Sequence, residues 1–237
     1  RKDAPFGHCA VLLQHPDSGV RGAAARCLGL VPERGPAIAA LTPLAESDPS
    51  PVVAAAATES LLLLDAPLGL EIARARLDAA LAQGPLETGP WLRLVGIAGG
   101  ADDCALLLRA LGAGSAAAAP LGWLGHTGAV EPLLDALTRA EEQGDQALAE
   151  AADRALRRLL GELPTRAAGQ EQAGATGEAL AWRARWMTLS RELPERKKVR
   201  RGELFSPQAS LDELARDDVP VEVREACALE LGLLSGG

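Results

Sequence analysis

Few side chains in this chain have the type and spacing that catalysis or metal binding requires. Of the three histidines, His15 and His126 fall in turns between predicted helices. His8 and Cys9 are neighbours, but no second pair stands at ligand spacing, and a closed zinc site needs four converging nitrogen or sulfur ligands. The nucleophile-elbow, HExxH and phosphate-loop motifs do not occur in the sequence. We therefore predict no metal, no cofactor and no catalytic residue.

Two pairs of adjacent aspartates, Asp102-Asp103 and Asp217-Asp218, have the composition of paired catalytic carboxylates. Each pair stands at the start of a predicted helix or in a turn between helices. An aspartate there accepts hydrogen bonds from the backbone N–H groups that a helix leaves unpaired. We expect both pairs to cap helices or to be solvated.

One segment concentrates the residue types that bind partners. Between residues 183 and 201, eight basic side chains stand against two acidic ones. Trp182 and Trp186 are four residues apart, so on a helix they share one face. Tryptophan and arginine dominate interaction hot spots because they bury large areas at modest entropic cost. The segment predicts a docking site for an acidic protein surface. The candidate residues are Trp182, Trp186, Arg196, Arg200 and Arg201.

Two other interpretations of this segment stay open. In the first, the tryptophans pin the segment to neighbouring helices and the charges are solvated. In the second, the basic side chains bind nucleic acid. Because these side chains are confined to one segment of a chain whose net charge is −8, we expect no nucleic-acid partner.

The composition favours helices packed on helices. Hydrophobic residues make up 48% of the 237-residue chain but aromatic residues only 3%, with no tyrosine. A core of alanine, leucine and valine suits close helix packing, whereas a β-sandwich would need more β-branched and aromatic residues. No apolar run approaches the roughly 18 residues of a membrane helix, and the net negative charge repels anionic lipid. We expect no membrane partner.

Two segments about two hundred residues apart are closely similar. Residues 20–30 read VRGAAARCLGL and residues 223–233 read VREACALELGL, which indicates an internal repeat. A shift of 33 residues from the first segment finds another copy, in which Val53 replaces Val20. The pattern predicts an all-α fold, an α-solenoid or superhelix of helix pairs. The residues expected in its core or at its close helix contacts are Leu28, Leu61, Leu121, Leu231, Ala24, Ala57 and Ala226.

Arg21 and Arg224 hold the same position in two of these copies. They could form a ladder that binds an acidic partner, or they could bridge turns and pair with a carboxylate such as Asp17 or Glu222. The structural role is favoured, because Ala54 occupies the position in the copy between them.

The four cysteines show no CxxC pairing, which indicates reduced thiols and a cytoplasmic location. Cys27 and Cys227 fall on the small-residue face of the repeat helices. We expect both side chains to be buried.

The repeat pattern divides the chain into three parts. Residues 1–160 carry helical repeats and end in a helix at 146–160, which we expect to pair with the helix before it. Residues 161–205 break the pattern, with a predicted loop at 161–178 followed by a Trp/Arg-rich helix. Residues 206–237 form a terminal repeat of the same continuous solenoid. Because the chain begins without methionine and stops just after a repeat helix, we expect it to be a fragment of a longer protein.

The repeated order of valine, arginine, small residues and Leu-Gly resembles the inner helix of a HEAT-like repeat, especially the short bacterial form first noted in phycobilisome lyases. The order of the parts also resembles a family of bacterial HEAT-repeat proteins found near type VI secretion loci. This resemblance covers most of the chain and implies no catalytic activity. The residues that carry it are Trp182 and Trp186, Arg200-Arg201-Gly202, Phe205-Ser206-Pro207 and residues 223–231.

Together these features favour a non-catalytic scaffold or adaptor for protein–protein interaction, which the resemblance associates with a bacterial secretion system. The alternative is a HEAT-fold enzyme with a concave active site, of the lyase type or a DNA-acting glycosylase. Such an enzyme would need a carboxylate in a cleft beside a tryptophan. The tryptophans are Trp91, Trp123, Trp182 and Trp186.

Overall fold

The computed structural model of the chain describes residues 5–84, 88–163, 177–194, 197–216 and 219–235. Within these ranges the chain forms thirteen α-helices and one short hairpin. The helices are α1 Pro5–Leu12, α2 Ser18–Leu28, α3 Arg34–Ser47, α4 Pro51–Leu64, α5 Ala66–Gln83, α6 Gly89–Ala98, α7 Cys104–Ala113, α8 Ala118–Leu124, α9 Val130–Gln143, α10 Gln146–Leu160, α11 Glu178–Leu189, α12 Pro207–Leu214 and α13 Val221–Ser235. The strands are β1 Val199–Arg200 and β2 Glu203–Leu204.

The chain folds into two compact units. Unit 1 contains residues 1–98 together with residues 210–237, and unit 2 contains residues 99–209. In both units helices pack on chain neighbours, as in the pairs α3 with α4 and α9 with α10, and also on the next helix but one, as in α2 with α4 and α8 with α10. The predicted class, an all-α fold of HEAT-like solenoid type, is confirmed.

Unit 1 shows why the repeat has its sequence. Helix α2 begins after Asp17, whose side chain accepts a hydrogen bond from the Val20 N–H at 3.1 Å. Gly29 ends the helix where α4 comes close, because a Cβ on Gly29 would lie 2.8 Å from Ser60 Oγ. The Ser60 hydroxyl donates to the Ala25 carbonyl at 2.9 Å and joins the two helices. The repeated Leu-Gly pair therefore permits close helix packing.

Most of the predicted core is correct. Leu28, Leu61 and Leu121 are fully buried. The three alanines predicted at close contacts, Ala24, Ala57 and Ala226, are also buried. Leu231 was expected in the core, but it is only half-buried, and Leu229 and Glu230 are buried in its helix instead. The buried residues at this point of α13 therefore come one and two positions before the leucine that the repeat predicts.

The two repeat cysteines differ. Cys227 is buried as predicted, but the prediction for Cys27 is wrong, since its side chain is exposed. The buried face of α2 contains Ala24, Ala25 and Leu28. Each residue turns a helix by about 100°, so Cys27 lies to one side of that face.

In unit 2, helix α10 has the predicted bounds and packs on α9 as expected. The Trp/Arg-rich helix is α11. Of the loop predicted at 161–178, residues 164–176 lie outside the described residues. The hairpin was not predicted, and the division of the sequence into three parts stays a prediction.

Candidate docking site

Helix α11 is fixed to unit 2 by Trp182. The indole is fully buried, and its Nε1–H donates to Asp153 Oδ1 at 2.8 Å. Arg157 Nε donates to the other oxygen of Asp153 at 2.7 Å, and its Cζ lies 5.8 Å from the centre of the Trp182 ring. The hydrogen bond to Asp153 is the main cause that raises the pKa of Arg157. Trp182 therefore anchors the helix and has no surface for a partner in the folded chain.

Two arginines of α11 also contact other helices of unit 2. Arg183 Nη2 donates to Asp135 Oδ1 at 2.7 Å, and Nη1 lies 3.5 Å from Glu131 Oε2, both on α9. Arg185 donates to the Leu160 carbonyl at the end of α10, at 3.3 and 3.4 Å. These two charges hold α11 against its neighbours.

The hairpin caps the ends of two helices. Its turn contains Arg201 (φ 55°) and Gly202 (φ 83°), the two consecutive positive φ angles of a type I′ turn. The N–H groups of these residues donate to the Arg158 and Leu159 carbonyls at 2.8 and 2.7 Å. The Val199 N–H donates to the Gly125 carbonyl, at the end of α8, at 2.7 Å. Carbonyls that α8 and α10 leave unpaired at their ends are thereby satisfied.

Arg200 belongs to a stack of cations and aromatic rings. Its Cζ lies 5.1 Å from the centre of Trp123 and 5.0 Å from that of Phe205. Arg158 Cζ lies 3.2 Å from the centre of Trp123, and Lys198 Nζ lies 4.7 Å from that of Phe205. Arg200 is only 3% exposed. Cation–π contacts stabilise such a desolvated guanidinium, so Arg200 holds the hairpin on unit 2.

The remaining described basic residues of the segment face outward. Arg191, Lys197 and Arg201 are exposed, whereas Arg196 lies outside the described residues. The hairpin turn lies beside the end of α11, since a Cβ on Gly202 would be 3.4 Å from Leu189 Cδ1. Met187, on the outward side of α11, is 66% exposed. The exposed charges described in this stretch are therefore three basic and two acidic, the latter being Glu192 and Glu203, and Met187 adds an apolar side chain.

Trp186 is half-buried and lines a small pocket of about 370 Å³ with His126, Glu131 and Leu193. His126 Nδ1 accepts the Gly128 N–H at 3.1 Å, so in the neutral ring Nε2 carries the proton. A carboxylate therefore does lie beside a tryptophan, as the enzymatic alternative requires. However, the Glu131 side chain is largely exposed and shares Arg183 with Asp135.

The other sequence candidates have structural roles. Arg21 donates through Nε and Nη2 to both oxygens of Asp48, each at 3.0 Å, and it also donates to the His15 and Pro16 carbonyls. It therefore bridges turns as favoured, but its carboxylate partner is Asp48 and not Asp17. Arg224 donates to the Arg216 carbonyl at 2.9 Å.

The ion pair between Arg21 and Asp48 affects the pKa of the Asp48 carboxyl. Burial acts to raise the pKa of its carboxyl, but the hydrogen bonds from Arg21 and the Ser50 N–H, with the nearby positive charges of Arg21 and Arg76, outweigh burial. The pKa of Asp48 therefore lies below its ordinary value, and the carboxylate is held ionised.

Of the aspartate pairs, Asp103 accepts the Gly100 N–H at 2.8 Å at a helix start, as a cap should. Asp217 and Asp218 lie outside the described residues. No three His, Cys, Asp or Glu side chains in the described ranges are grouped as metal ligands. Among the helices that the structure describes, none is both long and apolar enough to cross a membrane.

Stacked helix pairs with small residues at their contacts define a helical-repeat protein. Residues 9–62, which contain α2, α3 and most of α4, match the family model for HEAT repeats. Comparison with the curated proteins and with the solved structures gave no match. Residues 9–62 therefore carry HEAT-like repeats, in a chain whose described helices have a fold of the same all-α type.

Proposed function

We propose that this chain is a non-catalytic scaffold or adaptor that docks a protein with an acidic surface. The observation that carries the proposal is the division of one basic segment into two sets of side chains. Trp182, Arg183 and Arg200 are used to hold the segment, whereas Arg191, Lys197 and Arg201 are exposed. Exposed positive charge concentrated on a chain of net charge −8 favours one acidic partner.

We call Met187, Arg191, Lys197 and Arg201, with the accessible part of Trp186, the docking face. An exposed apolar side chain beside arginines is the composition of a protein hot spot. Arg196 stands next to Lys197 in the sequence and remains a proposed member of this surface.

On the resemblance to the HEAT-repeat family near type VI secretion loci, we place the protein in the bacterial cytoplasm as an accessory to a secretion system. We expect neither nucleic acid nor membrane to be its partner. The enzymatic alternative would use Glu131 in the Trp186 pocket. Because that carboxylate is solvated and ion-paired, the geometry favours docking over acid–base chemistry.

The test uses a charge-reversed variant, Arg191→Glu with Lys197→Glu and Arg201→Glu. Its matched control reverses three exposed arginines outside the face, Arg109, Arg139 and Arg154. Each variant captures proteins from a lysate of the source organism at low and at 0.5 M salt.

We expect acidic proteins that bind the parent and the control but not the reversed variant, and that are lost at high salt, because exposed charges are screened over about 8 Å at physiological ionic strength. The melting temperature of each chain is measured, and capture is compared at a temperature where all three chains are folded. Partners captured equally by the reversed variant would overturn the proposal. Nucleic acid recovered in place of acidic protein would also overturn it.

A further inference from the structure

A groove in unit 1 follows the accessible stripe of α4. Val52, Ala55, Glu59 and Leu63 reach the surface, and the residues between them on α4 are buried. Their spacing of three, four and four residues aligns them along one side of the helix. Val52 is 61% exposed, so an apolar side chain stands open at the first end of this stripe.

Three other helices form the walls of the groove. Helix α2 contributes Arg26, α6 contributes Leu94, and α13 contributes Glu225 and Ala228. The groove has a volume of about 710 Å³. That volume lies within the range of about 300 to 1,000 Å³ that is usual for binding sites.

Helix α13 comes close to α4 at the second end of the stripe. A Cβ on Gly232 would lie 2.8 Å from Leu63 Cδ2, so the glycine lets α13 come close to α4 there. The stripe on α4 is therefore exposed at Val52 and approached by α13 at Leu63. An occupant of the groove lies along α4 between these two residues.

The groove contains one ion pair and two further side chains of opposite charge on different walls. Glu59 and Arg93 form an ion pair with each other at 3.2 Å. Arg26 and Glu225 carry opposite charges on two different walls, α2 and α13. A complementary occupant carries an acidic residue on its α2 side and a basic residue on its α13 side.

We propose that this groove binds an amphipathic helix of a partner protein. The stripe from Val52 to Leu63 contains twelve residues and is about 16 Å long at the helical rise, so it matches about three turns of a bound helix. Apolar side chains at helical spacing contact Val52, Ala55 and Leu63, and the two flanking charges fix the orientation. This site is independent of the docking face in unit 2.

The experiment selects binders from a displayed library of 14-residue peptides against the full chain. Ala55→Trp fills the groove, and Ala79→Trp, on an exposed position of α5, is the matched control. A third variant, Arg26→Glu with Glu225→Arg, exchanges the wall charges. Circular dichroism and melting curves establish that each variant folds.

We expect selected peptides with apolar residues at i, i+3 or i+4, and i+7, flanked by one acidic and one basic residue. Their affinity should fall at least tenfold for Ala55→Trp and stay unchanged for Ala79→Trp. The exchanged variant should select peptides with the two charges reversed. No enrichment, or peptides that bind Ala55→Trp as well as the parent, would overturn the proposal. The variant with a reversed docking face should still bind these peptides, which separates this site from the proposed function.

Discussion

The helix pairs at residues 18–64 and the segment at residues 177–205 are held by different kinds of contact. In the first, small and branched apolar side chains pack at helical spacing, as Leu28 and Leu61 do. In the second, single contacts between polar and aromatic side chains fix the segment. Examples are the hydrogen bond from Trp182 to Asp153 and the cation–π contact of Arg200 with Trp123.

The difference between the two regions has a consequence for binding. The periodic region uses a whole face of each helix for packing. The segment at 177–205 is fixed at a few points, so Met187, Arg191 and Arg201 remain at the surface. An irregular element on a repeat scaffold can therefore present exposed charges in addition to the groove along α4.

The largest expected effect is in the periodic region. Leu28→Ala should lower the free energy of unfolding by about 2 to 5 kcal/mol, because it removes a fully buried side chain from the core of unit 1. Leu30→Ala is the control, since Leu30 is 81% exposed, and it should change stability by less than about 0.5 kcal/mol. Urea denaturation measures both, and equal stabilities for the two variants would refute the packing described here.

Two glycines test how the hairpin is seated. Gly125 (φ 71°, ψ 15°) and Gly144 (φ 70°, ψ 23°) have nearly the same left-handed backbone at the ends of α8 and α9. Gly144→Ala should cost about 1 to 2 kcal/mol, the ordinary cost of that conformation. Gly125→Ala should cost more, because its methyl group would lie 2.8 Å from the Val199 carbonyl oxygen and from Lys198 Cγ. Equal losses in urea denaturation would show that the hairpin does not lie against α8.

Arg21→Ala tests the polar contact within the periodic region. Asp48 has a pKa below its ordinary value of 3.8, so the stability that the pair contributes is present above that value and is lost as pH falls through the lower pKa of the folded state. The melting temperature of Arg21→Ala should therefore fall most below the parent at neutral pH, and the gap should narrow below about pH 3.8.

The control for this pH dependence is Arg154→Ala. Arg154 pairs with Glu150 four residues away, and both side chains are largely exposed. Such pairs contribute little, so this variant should melt close to the parent at every pH. A gap for Arg21→Ala that does not change with pH would contradict the role given to Asp48.

The periodic region could be predicted from the sequence because its contacts follow a rule. Residues that repeat at helical spacing share a face, so the burial of Leu28 and Leu61 was predictable, and the same rule gave the bounds of α10 in unit 2. Errors arose where one residue of rotation decides burial, as at Cys27 and Leu231.

The docking segment was predictable in composition but not in orientation. Its charge excess and its tryptophans are visible in the sequence. Arg200 lies inward because it packs on the rings of Trp123 and Phe205. No spacing rule in the sequence links these three residues. The Arg-Gly pair at 201–202 was the one local signal for a hairpin turn, but arginine is not a usual residue at a positive φ angle.

The division of the docking segment into holding and binding residues is tested most directly by Trp182→Phe. This variant removes the donor to Asp153 Oδ1, and a buried lost hydrogen bond costs about 1 to 3 kcal/mol. Thermal unfolding and partner capture are measured on the same sample of the variant and of the parent. We predict a lower melting temperature for Trp182→Phe with full capture of the acidic partner below the transition. An unchanged melting temperature with lost capture would contradict the account, because it would place Trp182 in the partner interface.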